Sequence, residues 1–365
     1  MITKPKHLYL HVPFCRTICA YCDFCHVGYQ ETVAEQWLEA ITTDIQNRHL
    51  NENLVTIYIG GGTPTALSSS KLDQLLSLLD PYARMVQEYT IEINPETFDE
   101  DKAKILQKHG VNRASIGFQT SDEKLLQMMN RHHRLEDVAE TMRLLRKYGI
   151  DNISLDLMYS LPTQTMESLE KSLQDAIALE PTHLSLYSLT IEPNTVFAKK
   201  GYEHLEDDIE ADMYEWICNF LPKYGFVQYE ISNFAKENMI SIHNCAYWNY
   251  QDFYGIGCGA SGLEGSTRYD IPKNVKKYIE DSSIKDTIEL TLQEQMFEAV
   301  MMGLRLKEGM NIQLFEDRFH TSVLEVYRAQ INKLCHEGKL ELGGNYLRCS
   351  EDGFEILNSI LLEFM

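Results

Sequence analysis

Short β-rich runs recur through the first half of the chain, and in most of them large aliphatic residues alternate with polar ones: HLYLHV (7–12), VTIYIG (55–60), YTIEIN (89–94), RASIGF (113–118), NISLDLM (152–158) and HLSLYSL (183–189). A period of two predicts strands. The spacers carry helical spacing and predict helices over 32–48, 68–79, 99–108, 135–148 and 166–179, with Gly110 and Gly149 as C-terminal stops. Six consecutive βα units predict a parallel sheet, as a partial barrel or a doubly wound sheet. Either form gathers ligands at the carboxyl ends of its strands.

Beyond about residue 189 the pattern changes. A helix is expected over 207–221, then the strand-like VQYEIS, then the aromatic and glycine-rich HNCAYWNYQDFYGIGCGASG, read as an added β-containing segment. Helices over 293–306, 312–319 and 323–337, a hairpin LELGGNYLRC turning on Gly343 and Gly344, and a helix over 351–362 read as an α+β, winged-helix-like unit. The expected division is therefore a main domain over 1–205, a connecting segment over 206–290 and the winged-helix-like unit over 291–365.

Charge narrows the partners. With 33 Lys+Arg against 54 Asp+Glu the formal charge is −21, which repels phosphate backbones and anionic lipid. From Thr291 onward there are 7 Lys/Arg against 12 Asp/Glu, the wrong sign for a nucleic-acid surface. That leaves a structural or docking role for the last unit. The N-terminal run leads straight into a strand pattern without a signal region, and no apolar run reaches bilayer length. Of nine cysteines, six (Cys25, Cys218, Cys245, Cys258, Cys335, Cys349) are scattered without pairing regularity, as expected for reduced thiols in the cytoplasm.

The other three, Cys15, Cys19 and Cys22, stand in HVPFCRTICAYCDF on the loop after the first strand. Structural zinc and ordinary iron–sulfur clusters take four protein ligands, so a three-cysteine loop implies a centre with one position open. A zinc knuckle completed by Cys25 or His26 is the competing reading. Polar residues among aliphatics in strands covered on both faces must point inward and need a partner. Tyr9, His11, Glu92, Gln119 and Asp156 are such positions, and Gly60, Gly61, Gly62, Thr63, Pro64 and Thr65 end the second strand where a backbone can approach a ligand closely.

The CxxxCxxC spacing resembles the cluster-binding signature of radical S-adenosylmethionine (SAM) proteins. CxxxCxxC, YIGGGTPT, IEINPE, SIGFQT, NRHH, LDLMYSLPTQT and YEISNFA follow one another as in the family of oxygen-independent coproporphyrinogen III oxidases and their HemW-type heme chaperone relatives. The resemblance spans almost the whole chain. It implies a (β/α)6 partial TIM barrel, a [4Fe–4S] cluster on Cys15, Cys19 and Cys22, and SAM contacts from Tyr9, Tyr21, Gly61, Gly62, Thr63, Glu92, Gln119, Arg131 and Asp156. In the oxidase branch a fourth cysteine follows two residues after the third, where this chain has Phe24, and the N-terminus is longer. The chaperone branch carries HNxxYW, matched by His243, Asn244, Tyr247 and Trp248. Histidine among aromatics suits a porphyrin and its iron, which gives His243, Asn244 and Tyr247 as heme residues and leaves Cys245 as a possible second iron ligand. The implied function is a heme chaperone serving heme-dependent respiratory proteins. The alternatives are radical decarboxylation of coproporphyrinogen III, a heme-degrading methyltransferase-like activity, and a zinc-stapled binding protein.

Overall fold

The structure, a computed structural model, describes residues 4–365. The expected strands form as β1 (His7–Val12), β2 (Thr56–Gly61), β3 (Glu88–Ile93), β4 (Arg113–Gln119), β5 (Asn152–Tyr159) and β6 (His183–Ser188). They pair in parallel in chain order. Helices α1 (Glu31–Arg48), α2 (Ser69–Leu79), α3 (Glu100–Lys108), α4 (Glu123–Met128), α5 (Leu135–Lys147) and α6 (Met166–Ala178) return the chain between strands. Leu8, Leu10, Ile57, Ile59, Ile91, Ile116, Leu155 and Leu184 point outward beneath these helices and meet Trp37, Ile41, Leu72, Leu76, Val138 and Leu173 in one core. Each such aliphatic side chain contributes about 1.5–3 kcal/mol by leaving water. The opposite face is polar and lies in register: Glu92 pairs with Ser115, Ser115 with Ser154, and Ser154 with His183.

The segment 206–290 is not a connector between two bodies; it completes the main sheet on both sides. After α7 (Val196–Lys199) and α8 (Asp207–Phe220), strands β7 (Val227–Gln228) and β8 (Asn233–Ala235) add to one edge, with β8 antiparallel to β6. Then α9 (Ile242–Trp248) precedes β9 (Phe253–Ile256), which lies parallel to β1 on its other side, so seven strands run parallel. Strands β10 (Ser261–Glu264), β11 (Thr267–Asp270) and β12 (Asp286–Glu289) continue outward to give the order β12-β11-β10-β9-β1-β2-β3-β4-β5-β6-β8-β7. The motif HNCAYW, expected within a β-containing segment, is helical because Ser241 caps α9 through Oγ to Asn244 N; the β structure begins only at Phe253.

Residues 310–362 form a three-stranded sheet with helices around Phe315, Phe319, Ile331, Leu334 and Leu347, the winged-helix-like arrangement expected. Two expected helices are broken. Tyr327 (φ −112°, ψ 30°) divides 323–337, and Ile356 (φ −108°, ψ 25°) divides 351–362. Apolar periodicity runs through both breaks and so does not register them.

Candidate functional site

A cavity of about 610 Å³ opens at the carboxyl ends of the parallel strands. Its floor and walls hold Cys15, Cys19, Tyr21, Cys22, Gly61, Gly62, Thr63, Glu92, Gln119, Arg131 and Asp156. Residues expected from six separated motifs are therefore brought together. Tyr9 is the exception: it lines a neighbouring cavity and its hydroxyl meets His11 Nδ1 at 3.0 Å.

The cysteine loop is closed at its base, where Val27 N donates to Pro13 O (2.7 Å) and Tyr29 N to Cys15 O (2.9 Å). Its tip is pinned from outside: Ala20 N donates to Met129 O (2.9 Å), Phe197 N to Ala20 O (3.0 Å), and Asn130 Nδ2 to Ile18 O (2.8 Å). Thr63 Oγ1 donates to Cys15 Sγ at 3.8 Å and Arg131 Nη1 to Cys19 Sγ at 3.8 Å. Burial holds the Cys15 and Cys22 thiols up, to about 12 and about 11, because a thiolate without a cation is costly in that setting. Gly62 is needed here; a Cβ on it would meet Phe14 O at 2.9 Å and Cys15 Sγ at 3.0 Å.

No group of three or more His, Cys, Asp or Glu among the described residues converges tightly enough for one metal ion. A cubane cluster takes each thiolate on a different iron, so its tripod is wider than the shell of a single ion. A zinc knuckle needs four ligands on one centre, and Cys25 turns away from the triad, its Sγ 3.6 Å from Cys258 Sγ. His26 Nδ1 meets Phe24 O at 2.7 Å and also lies 3.6 Å from Cys22 Sγ, so His26 stands beside the triad.

Glu92 and Asp156 stand on the inner face of β3 and β5. Glu92 accepts from Tyr58 Oη (3.0 Å) and Gly61 N (3.1 Å), and burial with Asp156 nearby pushes its carboxyl up to about 7. Asp156 accepts from Ser115 Oγ at 2.9 and 2.8 Å, and burial raises it also. Arg131 Nη2 donates to Gly117 O at 2.6 Å while its Nε has no partner. The NRHH motif is tied down just beyond Arg131: His132 N donates to Glu96 Oε1 (2.6 Å) and His133 Nε2 meets Phe118 O (3.0 Å). Gln119 reaches the cavity from a positive-φ position (62°), beside a bulge in β4. Acidic, basic and backbone groups thus surround one space, a donor set suited to a zwitterionic ligand with hydroxyl groups.

The second cavity, of about 480 Å³, is walled by Tyr9, Tyr58, His243, Tyr247, Trp248 and Phe253, with Arg268 and Lys273 also lining it. Phe24, Tyr58, Asn244 and Lys273 line both cavities. His243 is 1% exposed; its Nδ1 meets Thr56 Oγ1 and its Nε2 meets Tyr247 Oη, each at 2.7 Å. Burial lowers it to about 3, so the imidazole is neutral. Cys245 lines neither cavity.

Sequence reasoning missed what holds α9. Glu88 accepts from Ile242 N (2.8 Å), His243 N (2.9 Å) and Ser241 Oγ (3.2 Å), with Arg113 Nε 3.9 Å away. The signal was there: Glu88 shares the parity of Glu92 in EYTIEI, one residue before the expected start of that strand.

The profile of the radical SAM superfamily matches residues 9–176 and that of the HemN C-terminal domain residues 290–356. The heme chaperone HemW of Lactococcus lactis is 35% identical over 100% of this chain and 98% of its own. That of Bacillus subtilis is 36% identical, covering 99% of both, and that of Escherichia coli 33%, covering 99% and 98%. Coproporphyrinogen III oxidase (HemN) from Escherichia coli shares the fold with TM-score 0.84 at 21% identity, over 99% of this chain and 90% of that one. With its triad on a loop at the mouth of the parallel sheet and its identity to chaperones sustained from end to end, the chain belongs to the HemW heme chaperone family of the radical SAM superfamily.

Proposed function

We propose that this chain binds heme in the second cavity and passes it to heme-dependent respiratory proteins in the cytoplasm, with a [4Fe–4S] cluster and SAM held in the first. The observation that carries the reading is the junction of the two cavities: the aromatic pocket around His243 shares Phe24, Tyr58, Asn244 and Lys273 with the triad cavity. Nine free cysteines support a reducing compartment, and no helix among the described residues is long and apolar enough to cross a membrane.

The radical SAM family implies the cluster and SAM, and the residues fit them. Three thiols stand with two side-chain donors on their sulfurs, Arg131 Nε is buried without a partner, and the space above Gly62 is too narrow for a Cβ. Cys15, Cys19 and Cys22 would hold the cluster, which supplies a redox centre with one open iron position. Thr63 and Arg131 hold the sulfurs by hydrogen bonds, and Glu92 and Asp156 are oriented to accept from ammonium and hydroxyl groups. In the second cavity Tyr58 stacks on His243 with centroids 5.1 Å apart, a flat surface of the kind a porphyrin packs against. A neutral imidazole is the ligating form; ligation through Nε2 requires Tyr247 to give up its hydrogen bond.

Hemin titration of the purified chain tests this. The expected result is a Soret band saturating at one hemin per chain and weakened in His243→Ala; an unchanged hemin spectrum overturns the reading. Incubation with coproporphyrinogen III, SAM and dithionite without oxygen is expected to yield no protoporphyrinogen IX, and turnover would promote the oxidase alternative.

A further inference from the structure

We propose that Cys25 and Cys258 are a redox-active dithiol, a site of reversible disulfide formation that ties the end of the cysteine loop to the glycine-flanked turn after β9. The two sulfurs are 3.6 Å apart across 233 positions of sequence. A disulfide needs about 2.05 Å, so closure brings two sulfurs already in contact closer by about 1.5 Å. The backbone enforces the approach. Gly257 (φ 93°) and Gly259 (φ 83°) bracket Cys258, and a Cβ would meet His11 O at 2.4 Å from Gly257 and Cys25 Cβ at 2.5 Å from Gly259. Only glycine at both positions lets the turn press Cys258 against Cys25. From the other side, His11 Nε2 holds Cys25 O at 2.8 Å.

The two thiols differ in access. Cys258 is 0% exposed within the core, whereas Cys25, 5% exposed, lines the second cavity. A small oxidant in that cavity therefore meets Cys25 first, and the bond shared with Cys258 lowers the Cys25 thiol below its ordinary value. With hydrogen peroxide as the two-electron oxidant, the Cys25 thiolate attacks one oxygen and the O–O bond breaks. The leaving hydroxide takes a proton and departs as water, and Cys25 becomes a sulfenic acid. The Cys258 sulfur then attacks that sulfur, the S–O bond breaks, and the hydroxyl leaves as a second water with the Cys258 proton. Two thiols and one peroxide give one disulfide and two waters. The bond pins Phe24 and Cys25, the stretch of wall between the triad and the second cavity.

The test is a mass-spectrometric cysteine map of the full chain after graded peroxide and acid quench, with and without dithiothreitol. The expected result is a Cys25–Cys258 linked peptide pair, reversed by dithiothreitol, in most chains before Cys218, Cys335 or Cys349 is oxidised. In Cys258→Ser, Cys25 should stop as a sulfenic acid and take up dimedone, which the wild type does not. If wild-type Cys25 is instead found as sulfenic or sulfinic acid without the link, or if both thiols stay unmodified while the other cysteines oxidise, the proposal is overturned. The wild-type map decides even if the variant fails to fold.

Discussion

Replacing Glu88 by alanine tests what positions the His243 helix. Glu88 is 3% exposed, and its carboxylate satisfies two of the backbone donors that open α9 together with the Ser241 hydroxyl. An acidic group at a helix N-terminus is favourable, and this one is buried. Alanine leaves two buried N–H groups unpaired at about 1–3 kcal/mol each. It also takes from the buried Arg113 guanidinium the carboxylate 3.9 Å away, leaving Asp156 as the other carboxylate that senses it; removing one partner of a buried pair costs about 3–5 kcal/mol at most here. The costs overlap, since a relaxed cavity serves both, so the expected destabilisation is about 3–5 kcal/mol. Glu88→Gln keeps an acceptor oxygen and should cost about 1–2 kcal/mol. Equilibrium urea unfolding followed by circular dichroism reads both; for m near 3 kcal/mol/M the alanine midpoint falls by roughly 1 M or more. Hemin affinity should fall with it, because His243 and Tyr247 both ride on α9. An alanine variant within about 1 kcal/mol of wild type, with hemin binding unchanged, would refute the reasoning.

Further outcomes follow from the first cavity. Gly62→Ala should lower iron and sulfide incorporation on anaerobic reconstitution severalfold while far-ultraviolet circular dichroism is kept, since its Cβ would press on Phe14 O and Cys15 Sγ; full incorporation would show that the loop can yield. Removing the hydroxyl at Thr63, as Thr63→Val, deletes the donor to Cys15 Sγ and should make the potential of the reconstituted cluster more negative in a redox titration, because hydrogen bonds stabilise the charge of the reduced state. The Glu92 carboxyl is raised from 4.5 to about 7 in the folded chain. Its favourable protonated form is complete below the unfolded value and lost as pH climbs through the folded one. Glu92→Gln should therefore gain on wild type between pH 4.5 and 7 by about 1–3 kcal/mol, the lower figure applying if cavity water screens the charge; a stability difference flat with pH in urea unfolding would contradict the assignment.

Much of this protein is local. The period-two runs placed six strands and which face of each is polar, because a buried aliphatic face and a pleat of two residues leave a strand no other orientation; their order in the sheet stayed open between a barrel and a doubly wound arrangement until the pairing was seen. The triad spacing was legible for the same reason: three ligands on one short loop need no partner elsewhere in the chain. Resemblance added Tyr21, Arg131 and the His243 motif, whose roles no local pattern gives.

What only the tertiary structure decided is pairing at a distance. Parity puts Tyr9, His11 and Glu92 on one inner face, but the insertion of α9 against β2 and β3 and the docking of β9 beside β1 divide that interior into two cavities, giving Tyr9 to one and Glu92 to the other. The same docking brings Cys258 to Cys25. Such contacts depend on crossover geometry and on shapes meeting across hundreds of residues, and hydrophobic period carries no information about either.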